Sequence, residues 1–220
     1  MDTPTPPPRT VDVVSDVVCP WCYIGKRQLE AAIARLPEDE RPIVRWHPFQ
    51  LNPDLPPEGV DRRAYLEAKF GGAERATQIY ERVRAAGRTA GLELAIDRIE
   101  RQPNTLDAHR LIAWAQSDPS RDATAMVEAL FRAYFVEGRP IGERDALARL
   151  AGEAGYDPQA AREMLDSDTG LAEIQAMDRH AREMGITGVP FFVFDSKVGI
   201  SGAAGTDTLL DAMAQARDPA

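Results

Sequence analysis

Val11-Asp12-Val13-Val14-Ser15-Asp16-Val17-Val18-Cys19-Pro20-Trp21-Cys22-Tyr23-Ile24-Gly25-Lys26-Arg27 decides the fold. The β-branched run favours a strand, and it breaks directly into Cys-x-x-Cys and then into a helical pattern. Cys19 and Cys22 are the only cysteines among 220 residues. A strand that delivers Cys19 to the first turn of a helix sets its sulfur at the positive end of the helix dipole, beside unpaired backbone N–H groups. That setting stabilises a thiolate over a thiol, and the thiolate is the form that attacks disulfides. Pro20 suits a first turn because its missing N–H would have no helical partner there. With two residues between them, Cys22 can turn back on Cys19, closing a small disulfide ring or expelling a bound partner. The pattern reads as thiol–disulfide chemistry.

Two plainer readings compete with it. A structural zinc site needs four Cys or His ligands, yet no second cysteine pair exists and His47, His109 and His180 are scattered without ligand spacing. A purely structural disulfide across four residues would constrain the unfolded chain little, since such stabilisation grows with loop size.

The length allows one large domain, or one domain carrying an insertion. Such a chain buries enough surface to fold without disulfide staples. Apolar content of 44% and charged content of 28% are ordinary for a globular protein. A net charge of −9 argues against a nucleic-acid partner, because neutralising phosphates requires a basic face. Residues 1–9, rich in proline, lack the apolar core of a secretory signal and read as a disordered lead-in. No stretch approaches the roughly 18 apolar residues that span a bilayer. These features predict a cytoplasmic protein with no membrane partner, a setting in which two lone cysteines are catalytic more often than structural. Whether it is a monomer or a homodimer stays open.

Residues 10–16 read as a first strand and 20–36 as a helix, ended by Pro37. Residues 42–49 form a second strand, with Ile43, Arg45 and His47 on one side and Val44 and Trp46 on the other. A βαβ unit follows, with two parallel strands. From about residue 62 to 184 the pattern is almost wholly helical, with helices over 62–70, 74–90, 106–116, 122–136, 143–153, 158–165 and 169–184 and a loop over 93–103. Strand character returns in Gly188-Val189-Pro190-Phe191-Phe192-Val193-Phe194 and in Lys197-Val198-Gly199-Ile200-Ser201, read as a hairpin. A helix over 206–216 closes the chain, with Thr206 or Asp207 as its N-cap. The expected fold is an α/β thioredoxin-like arrangement, βαβ…ββα, over 10–61 and 184–220, split by an all-helical insertion over 62–183.

A redox Cys-x-x-Cys needs a surface that holds a peptide or a small thiol against its sulfur. Val189-Pro190 is a candidate, because a proline at a strand start lacks the N–H that a ladder would use. A cis bond there would turn the Val189 backbone sideways, free to pair with substrate; an ordinary trans proline is the plainer alternative.

The segments Ser15-Asp16-Val17-Val18-Cys19-Pro20-Trp21-Cys22-Tyr23-Ile24-Gly25, Pro48-Phe49-Gln50-Leu51-Asn52-Pro53, Asn104-Thr105-Leu106-Asp107-Ala108-His109-Arg110, Leu130-Phe131-Arg132-Ala133-Tyr134-Phe135, Gly185-Ile186-Thr187-Gly188-Val189-Pro190-Phe191-Phe192 and Ile200-Ser201-Gly202-Ala203 together resemble the DsbA family, and more narrowly its FrnE-like cytoplasmic branch. The likeness runs over nearly the whole chain after residue 10. It implies a thioredoxin fold with a helical insertion, and a dithiol–disulfide oxidoreductase acting on protein or small thiols and disulfides. It also implies Cys19 as nucleophile, Cys22 as resolving thiol and Pro190 as a cis-proline facing them. No cofactor is implied beyond the cysteine pair, with glutathione as an optional co-substrate. Glutathione-using relatives, the kappa-class transferases and hydroxychromene carboxylate isomerases, are the rival reading; they carry a serine near the first cysteine position, and the presence of both cysteines here argues against it. A peptide-binding module without catalysis is a third.

The likeness is incomplete in two places. Thioredoxin-like proteins commonly bury a carboxylate six residues before the first cysteine, and that position is Val13 here. Period-2 alternation puts Asp12 and Asp16 on the opposite strand face from Val13, which leaves the Cys22 proton to water or to a group the pattern does not identify. The Pro-Trp interior, without a charge or a histidine, predicts a less extreme thiolate than in the strongest oxidants. Trp21 is expected over the sulfur or against substrate. Asn104 is expected as a helix N-cap and, with His109, as a wall of the substrate groove, because the likeness lays that helix over the active site. Asn52 suits a turn, His47 a structural or surface role, and the Phe131, Tyr134 and Phe135 cluster the core. Ser201 is a candidate ligand contact, by analogy with the glutathione-using relatives.

Overall fold

The computed structural model describes residues 9–217. The expected lead-in lies outside the described residues except for Arg9, which is anchored: its guanidinium pairs with Asp195 at 3.0 Å and donates to the Met213 carbonyl at 2.6 Å. Strand β1 (Thr10–Ser15) is the β-branched run. Helix α1 (Pro20–Ala34) follows, with Pro20 in its first turn and Cys19 as N-cap in extended conformation. Ile24, Leu29 and Ala32 repeat at helical spacing on its buried side. Strand β2 (Ile43–Pro48) returns parallel to β1, with Val13 beside Trp46 and Val14 beside His47.

Strand β3 (Val60–Asp61) leads straight into α2 (Arg62–Phe70), whose first turn is capped by the Asp61 carboxylate accepting from the Ala64 N–H at 2.8 Å. Helix α3 (Ala73–Thr89) follows. Strand β4 (Arg101–Gln102) then pairs antiparallel with β3. This ribbon falls partly in the stretch expected as a loop, because two-residue strands carry no readable alternation. Next come α4 (Leu106–Gln116), α5 (Thr124–Arg132) running into a π turn over Ala133–Glu137, α6 (Arg144–Glu153), α7 (Pro158–Asp166) and α8 (Leu171–Glu183).

Strands β5 (Phe191–Phe194) and β6 (Val198–Ser201) form the expected hairpin, and Asp195 and Ser196 take the positive φ that tight hairpin turns favour. Helix α9 (Thr206–Gln215) starts from Gly205, not from a Thr206 or Asp207 cap. Gly205 has φ +96 and donates its N–H to the Gln28 side chain of α1 at 3.0 Å. A side chain of a neighbouring helix thus holds the N-cap residue in place, while no side chain caps the first turn of α9.

The sheet order is β2-β1-β5-β6, with β5 antiparallel to both neighbours. Val11, Val13, Trp46, Phe192 and Phe194 feed the main core with Leu29 of α1 and Leu209 and Met213 of α9. On the other face, Val14 joins a smaller cluster with Phe49, Ala181 and Ile186. The helix that carries the cysteines is clamped from outside the sheet. Tyr23 stacks on Phe131 of α5 at 5.0 Å, and buried Lys26 reaches Glu128 at 2.6 Å. On the free edge of β2, the Gln116 amide pairs with both the N–H and the carbonyl of Trp46, standing in for a neighbouring strand. No helix among the described residues is long and apolar enough to cross a membrane.

Candidate active site

The strand–helix junction brings both cysteines, as free thiols, under the loop before β5. Cys19 is 5% exposed and Cys22 1%. The Val189–Pro190 peptide bond is cis, and the Cys19 thiol donates to the Val189 carbonyl at 3.5 Å. The Pro190 carbonyl accepts from the Gly202 N–H at 2.8 Å, which holds the end of β6 beside the proline. Ser201 lies there, opposite Phe191 in the ladder. Trp21 is 39% exposed, an apolar ring presented to solvent between the two cysteines. Gly25 is a residue whose role sequence reasoning missed. A Cβ on it would sit 3.0 Å from Pro190 Cγ and 3.1 Å from Phe192 Cζ, so its bare backbone is what lets the proline rest on α1.

Burial pushes the Cys22 thiol well above the usual range, and the adjoining Cys19 sulfur adds to this through a hydrogen bond and its charge. A hydrogen bond from the Asp16 backbone N–H works in the opposite direction. Burial thus favours the protonated form of Cys22.

Asp16 corrects the expectation that it points away from the site. Strand β1 ends at Ser15, so alternation places Asp12 but no longer Asp16. Asp12 does lie on the far face, bonded to Arg45 at 2.7 Å and to His47 at 2.7 Å. Asp16 is fully buried in the turn beneath α1, where its carbonyl accepts from the Cys19 N–H at 3.0 Å. Its Oδ2 accepts from the Leu51 N–H at 2.7 Å. Its Oδ1 faces His109 Nε2 at 3.4 Å, and neither of these two atoms has a hydrogen-bond partner.

His109 is accordingly no groove wall: it is 3% exposed and turned inward on Asp16. Asn104 also departs from expectation. The N-cap position of α4 is Thr105, and Asn104 caps from one residue earlier by accepting the Leu106 N–H at 2.9 Å. Its amide donates to the Leu55 carbonyl at 2.7 Å and its oxygen accepts from Gln50 at 3.2 Å. That side chain fastens the loop after β2. Asn52 accepts from the Tyr65 hydroxyl.

A buried arginine on this side of the site carried no signal in the sequence. Arg62 donates to Gln102 at 2.6 Å, to the Tyr134 hydroxyl at 2.7 Å and to Tyr80 at 3.1 Å. Burial pushes Tyr80 and Tyr134 up, and the charge on Cys19 acts on Tyr80. Arginines at helix starts are mostly solvated, so nothing in the pattern marks this one.

A four-stranded mixed sheet with a Cys-x-x-Cys at a helix start, facing a cis-proline loop, defines a DsbA-like thioredoxin class. The chain belongs to the DSBA-like thioredoxin domain family, whose model matches residues 10–214. It is 29% identical over 203 residues to the uncharacterized protein YwbO of Bacillus subtilis, covering 90% of this chain and 92% of that one. It is also similar to the crystal structure of a probable DsbA oxidoreductase from Streptomyces coelicolor, with a TM-score of 0.85, 31% identity, and 96% and 92% of the two chains covered. At 21% identity it shares the fold of the cytosolic disulfide reductase DsbM of Pseudomonas aeruginosa, with a TM-score of 0.63 and 94% and 95% covered. That protein's structure with GSH matches equally.

Proposed function

We propose that this chain is a dithiol–disulfide oxidoreductase in which Cys19 attacks and Cys22 resolves. The observation that carries the reading is the Cys19 thiol at the start of α1, 3.5 Å from the Val189 carbonyl beside Pro190, with Cys22 buried behind it. An extended peptide or a small thiol would lie along Val189, with Trp21 and the Ser201 end of β6 flanking it and Pro20 shaping the helix start. The Cys19 thiolate attacks one sulfur of a substrate disulfide; that S–S bond breaks and the first substrate thiol leaves. Cys22 then bonds to Cys19, and the second substrate thiol departs with the electron pair. Two electrons pass to the substrate and one disulfide passes to the enzyme, and the reverse sequence oxidises a dithiol.

We read the chain as a FrnE-like member with a cytoplasmic setting and glutathione as a small-thiol co-substrate. The cytosolic neighbour described with GSH supports both points. The helices over 62–183 would then form an inserted cover that shapes the groove. Two thiols set against each other favour exchange over a glutathione-dependent isomerase, which has no use for Cys22.

The test is trapping. Cys22→Ala incubated with oxidised glutathione should accumulate a stoichiometric adduct on Cys19, seen by intact mass, and Cys19→Ala should form none. A Cys22→Ala protein that stays unmodified contradicts the assigned roles.

A further inference from the structure

Gly25 stands inside α1 with no positive φ to require it, although glycine is the poorest helix former after proline. What calls for it is the close approach of the loop before β5. A Cβ there would lie 3.0 Å from Pro190 Cγ, 3.1 Å from Phe192 Cζ and 3.6 Å from Phe192 Cε2. At such separations a neighbour must give way by a few tenths of an ångström.

The two neighbours are not equally free to do so. Phe192 is fully buried, set opposite Val13 and Ile200 in the sheet and stacked on Phe194 at 6.4 Å. Close-packed interiors resist movement of that kind. Pro190 instead ends a surface loop. Thr187 is exposed, Gly188 and Val189 are half-buried, and a Cβ on Gly188 would meet nothing within 4 Å. The loop is pinned at one end by Ile186, packed with Val14 and Phe49, and at the other by the Gly202 N–H on the Pro190 carbonyl at 2.8 Å. Pressure from α1 is therefore taken up between those points, at Val189 and Pro190.

The bare face of Gly25 thus sets how close that segment comes to the reactive sulfur. Cys19 heads the same helix, and its thiol reaches the Val189 carbonyl at 3.5 Å. This gap matters more to some substrates than to others. An extended peptide lying along Val189 would pair backbone to backbone, and such bonds weaken steeply when misaligned. A small disulfide without a peptide backbone needs only the sulfur.

We propose that Gly25 is a positioning residue that favours peptide disulfides over small non-peptide disulfides, by letting Pro190 settle on α1 so that Val189 lies level with the Cys19 sulfur. No bond forms or breaks at Gly25; it governs how the peptide is held before the sulfurs exchange. This rests on the exchange reading, whose failure would look different.

The test uses the full chain, reduced, with two probes: an unstructured peptide carrying a disulfide, and hydroxyethyl disulfide, which has no backbone to pair. Loss of protein thiols is followed by acid quenching, alkylation and mass. In Gly25→Ala the half-saturating peptide concentration should rise about tenfold, the size of losing one or two backbone hydrogen bonds. The limiting rate should stay within about twofold, as expected when binding alone is weakened. The preference for peptide over hydroxyethyl disulfide should fall by the same factor of about ten. Should the extra methyl prevent folding, Gly25→Ala combined with Phe192→Leu decides instead, since the shorter side chain removes the 3.1 Å contact and leaves the one with Pro190. Its preference should fall relative to Phe192→Leu alone. An unchanged or increased preference in a folded variant, or equal losses toward both probes, overturns the proposal, because packing damage alone slows both alike. A wild-type protein that reduces neither probe overturns the exchange reading itself.

Discussion

An aspartate lies near each end of strand β1, and each meets a histidine under very different conditions. Asp12 sits on the outer face, bonded to His47 at 2.7 Å, and a half-exposed Arg45 completes its bonding. Asp16 sits one residue past the strand, fully buried, with His109 at 3.4 Å and one carboxylate oxygen unbonded. Arg45 completes the outer pair, whose energy is screened and small. The inner pair lies where little screening acts. The contrast arises from where the strand stops: alternation sends Asp12 outward, and the turn at 16–18 folds Asp16 under α1. The outer aspartate is fully bonded, whereas the inner pair keeps two buried polar atoms without a partner.

Stability measurements can break this contrast. The largest effect is expected from Asp16→Ala, which leaves the half-buried Leu51 N–H without its acceptor, at a cost of about 1–3 kcal/mol. Urea denaturation of the reduced protein would read it. Asp12→Ala should cost less than about 1 kcal/mol in the same assay, and a reversed ranking would remove the distinction between the two sites.

A smaller effect sharpens it through pH. Burial raises the Asp12 carboxyl, but the bonds from Arg45 and His47 outweigh that and hold it below the usual range. A carboxyl lowered on folding stabilises fully above its unfolded value, about 3.9, and loses that contribution as pH falls through the native value. The difference between wild type and Asp12→Asn should therefore be constant near neutrality and close below about pH 4. A difference that widens toward acid would contradict the assignment of those bonds.

Much of the scaffold was legible because its signals are local. The β-branched run, Pro20 in the first turn and the Pro37 stop define strand, cysteine pair and helix without tertiary help. Helices α2 and α4 begin and end where the pattern placed them. What escaped depends on context. The β3–β4 ribbon is too short to carry a period, and α9 starts from Gly205, which Gln28 on another helix holds. Asp16 turned on one residue of strand length, and His109 on which side of α4 meets the turn beneath α1. Arg62 looks like any solvated helix-start arginine until Tyr80, Gln102 and Tyr134 close around it.

The central claim is that Cys19 and Cys22 form one reversible redox couple, and equilibration tests it most directly. The protein would be held in glutathione buffers of graded ratio, quenched with acid and its free thiols counted by alkylation and mass. The account predicts a single two-electron transition in which both thiols vanish together into a Cys19–Cys22 disulfide and return on reduction. If no internal disulfide forms at any ratio, the exchange mechanism is contradicted.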